Sequence, residues 1–186
     1  MDPLKFLHAR IGTFFTTGNH EYYYGSALEW FDHFNNSYGI TILDNKIFQL
    51  NHICFVGLND LKSKNSGIYD HTLDLSAISK CKPNSSIIVM AHNPVMADDI
   101  ISYAKNHSII VDLILSGHTH FGQIYPLILN VYLTQPYLYG WYNLNNGLTK
   151  LLISAGTLYL AMPMKMLDMS EIWLLTLTSD NQNDLK

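Results

Sequence analysis

The chain has 186 residues, enough for one domain that buries a substantial core, and a net charge of −4 with its histidines neutral. Hydrophobic residues make up 48% and charged residues 14%, which excludes a disordered chain. No Lys/Arg cluster exceeds the small group Lys62-Ser63-Lys64, too small for the basic stripe of a nucleic-acid-binding surface. Residues 1–10 lack the charged-then-apolar order of a signal peptide, and no run of about 18 apolar residues predicts a membrane-spanning helix.

In chain order, the β-branched and aromatic run from Ile11 to Thr17 predicts a strand ending at Gly18. Ser26 to Phe34 predicts a helix, with Ser26 and Glu29 spaced as a capping box. Ile40 to Leu43, Ile47 to Leu50 and Ile53 to Leu58 read as short strands, with Asp44-Asn45 turning between the first two. His71 to Lys80 reads as a helix closed by Lys82-Pro83-Asn84. Ser86 to Met90 and Val111 to Leu115 are almost wholly apolar, as buried strands are, and Asp98 to Asn106 lies between them as a helix. Lys150 to Ser154 and Glu171 to Thr178 are the last strand candidates. Cys54, within an apolar run, and Cys81 have no Cys-x-x-Cys spacing and read as buried free thiols. The alternation predicts an α/β domain.

Three polar motifs follow strand candidates: Gly18-Asn19-His20-Glu21, Ala91-His92-Asn93-Pro94 and Gly117-His118-Thr119-His120. The carboxyl ends of strands are where open α/β sheets bind ligands. His118 and His120, two apart, point the same way in an extended loop. Pro94 restricts Asn93 and stiffens the loop after His92. Asn19 offers a hard oxygen donor, His20 a proton and Glu21 a carboxylate that can orient a histidine. Each motif alone has an ordinary reading as a polar turn; three histidine-bearing loops at three strand ends favour a shared metal site.

These motifs, extended by Phe121-Gly122-Gln123, resemble the later motifs of the calcineurin-like metallophosphoesterases. Tyr22-Tyr23, Leu113 to Ser116, Gln123 to Leu127, Gly156-Thr157, Met162-Pro163-Met164-Lys165 and Glu171-Ile172 narrow the likeness to the membrane-associated branch, which more often carries Arg at the place of Lys165. The likeness runs from about Gly12 to Leu177. It implies a double β-sandwich flanked by helices (αββα) and hydrolysis of a phosphate ester at a centre of two divalent metals, Mn, Fe or Zn. It implies Asn19, His92 and His118 as ligands of the second metal and His120 as a ligand of the first. It gives His20 the substrate phosphate and leaving group, with Glu21 paired to it.

The family also has an Asp-x-His and a Gly-Asp-x-x-Asp motif, and the residues ahead of Gly18 hold neither. Residues 1–186 then read as a single domain lacking its N-terminal metal motifs, incomplete at the N-terminus, with at most one metal well supported. The expected substrate is a small phosphate ester or a lipid; membrane association follows from the resemblance alone. A non-catalytic metal-binding or interaction domain is the alternative. Phe121 to Leu144, dense in Tyr, Leu and Ile, reads as core with a crossing helix, a lipid-facing surface being the second choice.

Overall fold

A computed structural model of the chain describes residues 3–23, 26–159, 163, 165 and 170–178. Met162 and Met164 of the resemblance lie outside them. The chain builds the centre of its main sheet from runs that are largely buried on both faces. Strands β3 (Lys46–Leu50), β4 (Ile53–Gly57), β5 (Ser86–Met90), β6 (Leu113–Ser116), β7 (Gly140–Leu144) and β8 (Thr149–Ile153) form six strands in the order β3-β4-β5-β6-β8-β7. The β4-β5, β5-β6 and β6-β8 pairs are parallel, while β3 and β7 close the edges antiparallel. Parallel strands need covered faces, which explains their unbroken apolar runs. A second sheet pairs β1 (Phe14–Phe15) with β2 (Thr41–Ile42) in parallel. Together these make a mixed α/β fold with a central six-stranded sheet and flanking helices.

One sheet face packs Cys54, Val56, Ile87, Val89, Ile114, Leu151 and Ile153 against helix α2 (Met96–Asn106) and the 3-10 segment Leu75–Lys80. Met96, Ala97, Ile100 and Ala104 recur at helical spacing and are the buried side of α2. On the other face, Phe14 of β1 lies 4.5 Å from the Phe48 ring and 5.8 Å from that of Phe55, so the small sheet packs on the large one. Gly57 is obligatory at this junction: a Cβ there would collide with the Leu43 Cβ and carbonyl oxygen. Helix α1 (Ala27–Tyr38) covers the small sheet through Phe31 and Phe34, both against Phe15.

Several expectations change. Ser26 does cap α1, but its hydroxyl accepts from the Leu28 amide rather than that of Glu29. The helix expected over His71 to Lys80 shrinks to 3-10 turns at Leu75–Lys80, because Asp74 caps the Ser76 amide and Asn45 occupies the Thr72 carbonyl. The expected strand Ile11 to Thr17 is regular over two residues. Glu171 to Thr178 forms no strand: Glu171 is drawn onto the end of β8, its amide donating to Gly156 and its carboxylate accepting from Ser154 and Ala155. Helix α3 (Tyr125–Thr134) and β7 divide the Phe121 to Leu144 stretch, and α3 turns Leu129, Tyr132 and Leu133 to solvent rather than to core.

The cysteines are the clearest correction. Cys54 and Cys81 are not free thiols but a disulfide, with Cα atoms 5.8 Å apart. The end of the 3-10 segment Leu75–Lys80 delivers Cys81 onto β4, at a spacing within the usual disulfide range. Among the described residues no helix is long and apolar enough to cross a membrane.

Candidate metal centre

The three motifs meet because β5 and β6 run parallel and so end on one side, and because Thr16 and Thr17 after β1 bond Leu58 and Asp60 just past β4, the parallel neighbour of β5. The β5 and β6 loops are then tied directly: the Gly117 amide donates to the His92 carbonyl at 2.9 Å, and Ala91 to Leu115 at 3.0 Å. Gly18 lets the first loop close over them. A Cβ at Gly18 would stand 3.0 Å from His92 Nε2 and 3.1 Å from two ring carbons. The imidazole of His92 therefore packs flat against a position that must lack a side chain.

Three donor atoms converge. Asn19 Oδ1 lies 3.0 Å from His92 Nε2 and 3.2 Å from His118 Nδ1, and those two nitrogens are 3.3 Å apart. Protons on two neutral imidazoles cannot satisfy all three edges. Any placement leaves either two lone pairs or two N–H groups facing each other. A cation satisfies all three at once. Donors bound about 2.1 Å from one ion stand about 3.0–3.4 Å from each other, which these edges match. Burial, and then the facing His118, push His92 down to about 3 from its ordinary 6.5. Burial also lowers His118, with smaller contributions from His20 and Lys62. Both rings are thereby held neutral, the form that binds metal.

His120 does not join this triangle. Its Nδ1 is buried and makes no hydrogen bond among the described residues, so a donor is left waiting beside the site. Burial lowers its pKa first, then the charge of Lys165. His20 is exposed at the start of a 3-10 turn, His20–Tyr22, with its ring edge-on to Tyr23 at 5.3 Å, and acts electrostatically on all three other histidines. Glu21 accepts from the Gly18 amide at 2.6 Å and so closes the turn of its own motif. The expected same-side arrangement of His118 and His120 gives way to a tight coil: His118, His120, Phe121 and Gln123 all have φ between 49° and 70°. Such strain at four non-glycine residues is characteristic of functional loops.

Some residues at the site escaped the sequence reading. The first loop rests on a polar chain in which the Tyr22 hydroxyl meets Thr17 Oγ1 and His71 Nε2, each at 3.0 Å, and His71 Nδ1 meets Asp44 at 3.3 Å. Thr17 Oγ1 also accepts from the Asp60 amide at 2.9 Å. Burial raises the Tyr22 hydroxyl well above its ordinary range, so it stays protonated. Lys62, capped by Asp60, lies with its ammonium 5.9 Å from the Tyr23 ring centre and within electrostatic reach of His118. The sequence signal for it was the small basic group Lys62-Ser63-Lys64.

The sequence profile of the calcineurin-like phosphoesterases matches residues 1–122, the part that contains all three motifs. The chain belongs to that family. It is 39% identical over 97% of its length to an uncharacterized metallophosphoesterase of Helicobacter pylori, of which it covers 46%. It is 38% identical over 95% of its length to a metallophosphoesterase of Caenorhabditis elegans, covering 37% of that protein. To the transmembrane protein with metallophosphoesterase domain of Danio rerio it is 33% identical, over 92% of this chain and 40% of that one. The likeness is thus no greater to the transmembrane relatives than to the others, and the narrower branch suggested by the motifs is not singled out. The chain spans less than half the length of these relatives. No solved structure matches it significantly.

Proposed function

We propose that this chain forms the second-metal half of a phosphoesterase centre, and that the complete protein hydrolyses a phosphate ester with two divalent ions. The observation that carries the proposal is the triangle of Asn19 Oδ1, His92 Nε2 and His118 Nδ1 at 3.0–3.3 Å. The orphaned Nδ1 of His120 supplies the start of the neighbouring position. An ion held there would supply Lewis-acid chemistry to a phosphate oxygen. His20, exposed beside the donors, would hand a proton to the departing oxygen, with Glu21 keeping the His20 turn closed. Lys62 would draw the anionic ester toward the site. The β1-β2 sheet would be part of the second sheet of the family's double sandwich. The exposed Leu129, Tyr132 and Leu133 of α3, which follows the His120 loop, favour a substrate with an apolar part, or a bilayer surface, over a small polar ester.

The donor set bears on how many ions this chain holds by itself. Two imidazoles and one amide carry no negative charge, and among the described residues no three His, Cys, Asp or Glu side chains gather into a metal-holding group. One dication would bind, while two close together would repel with little to offset them. The chain alone then binds one metal, and turnover needs ligands from elsewhere in the complete protein. Metal content and phosphodiester turnover of the Mn-loaded chain, beside His118→Ala, test this. One metal without turnover, lost in the variant, fits a half centre. Two metals with turnover would mean the chain completes the site from its own residues. Metal retained by His118→Ala would remove the triangle as the site.

A further inference from the structure

Between β4 and β5 the chain leaves the sheet for an excursion, residues 58–85, that contains two short 3-10 segments, Leu61–Asn65 and Leu75–Lys80. Side chains hold it down: Asn59 Nδ2 donates to the His71 carbonyl, Ser63 Oγ accepts from Leu73, and Asn45 Nδ2 donates to Thr72. This excursion carries Asp60 and His71, whose bonds to Thr17 and Tyr22 support the Gly18–Glu21 loop from behind. Such irregular segments are the parts of a fold that open first. The Cys54–Cys81 disulfide ties the last part of the excursion to β4, with 27 residues of sequence separation. Cys54 is fully buried, whereas Cys81 is half-buried.

We propose that the Cys54–Cys81 disulfide is a reducible brace that presses residues 58–80 of this excursion against the Gly18–Glu21 loop, so that its oxidation state sets how firmly Asn19 is held for metal. The step is a two-electron, two-proton reduction by a dithiol. One thiolate of the reductant attacks the Cys81 sulfur, and the Cys54 sulfur leaves and takes up a proton. The second reductant thiol then closes on the first, releasing the Cys81 thiol and leaving the reductant as a disulfide. The brace holds in an oxidising compartment and releases in a reducing one. Its effect on metal rests on the half-centre reading above; its effect on the loop does not.

Thiol counts in denaturant, amide hydrogen exchange over 17–23 and 58–80, and zinc affinity, each before and after anaerobic reduction with dithiothreitol and its removal, test the proposal. No thiol before reduction and two after are expected, with exchange in both segments faster by about tenfold or more. Zinc affinity should fall several-fold. Cys81→Ser, which leaves the core residue Cys54 in place, should reproduce the reduced values with unchanged far-ultraviolet circular dichroism. Two thiols before reduction, or exchange in 58–80 unmoved by it, would overturn the brace. Faster exchange confined to 58–80, with 17–23 and zinc affinity unchanged, would overturn the coupling. Zinc failing to bind in either state while 17–23 exchanges faster would leave the brace standing and remove the metal reading.

Discussion

At the scale of single residues, the site is set by what Gly18 lacks. Its missing side chain leaves the space that the His92 imidazole fills, so Gly18→Ala must push that ring aside by a few tenths of an ångström or more. The ring is one corner of a triangle whose edges already suit one ion, and it has no slack to give. Gly18→Ala is therefore expected to lower zinc or manganese affinity by about 10–100-fold, the range for groups that orient metal ligands, while leaving the fold intact. Calorimetric titration checks this; unchanged affinity would show that His92 is not a ligand. The same burial predicts a pH dependence. His92 titrates near 3 when folded against 6.5 ordinarily, because burial and then His118 disfavour its charged form. The unfolded chain thus binds more protons between those values. The resulting stability is fully present above about pH 6.5 and is lost as pH falls toward 3. Denaturant midpoints of the metal-free chain should drop steadily from pH 7 to 4, and His92→Gln should flatten that slope.

At the scale of elements, the end of β8 is placed by one carboxylate. Glu171 accepts from Tyr139 Oη at 2.7 Å, Trp173 Nε1 at 2.7 Å, Ala155 N at 2.8 Å and Ser154 Oγ at 3.1 Å. Burial pushes its pKa up, but these four donors outweigh that and hold it below the ordinary carboxylate value. Tyr139 in turn stacks on Phe121, next to His120, at 4.3 Å. Glu171→Gln exchanges an acceptor oxygen for an amide that meets donors. It is expected to cost about 1–3 kcal/mol, read as a lower urea midpoint at unchanged slope. A neutral result would mean Tyr139 and Trp173 find water as readily. Glu171 also shows where the sequence was opaque. Glu171 to Thr178 has the composition of a strand, and nothing local reveals that its first carboxylate is claimed by β8. The buried parallel strands were legible because their apolar runs need no tertiary information. So were the three motifs, since each follows such a run. The His71 to Lys80 helix failed because Asp74 and Asn45 compete for backbone groups the helix needs, the latter from far along the chain. The disulfide was invisible because pairing depends on where β4 and the 3-10 segment Leu75–Lys80 meet in space, not on spacing. The Tyr22–His71–Asp44 chain was missed for the same reason: its members stand far apart in sequence.

At the scale of the whole molecule, the metal is expected to act as a stabilising ligand, because its donors come from three separate strand ends. Asn19 follows β1, His92 follows β5 and His118 follows β6, so no unfolded segment holds the set together. An ion that binds the folded chain and not the unfolded one adds about 2.7 kcal/mol at a hundred times its Kd. In a domain of this size each kcal/mol moves Tm by about 2–4 °C, so saturating zinc or manganese should raise Tm by about 5–11 °C. The rise should grow with metal concentration and vanish in His118→Ala at the same concentration. It should also shrink as pH falls, since protons compete for the His92 and His118 nitrogens that the ion takes. A rise that persists in His118→Ala would place the ion elsewhere, at His120 or on the surface. No rise in the native chain would mean that the triangle, satisfied by no arrangement of protons, is stabilised by its surroundings rather than by a cation.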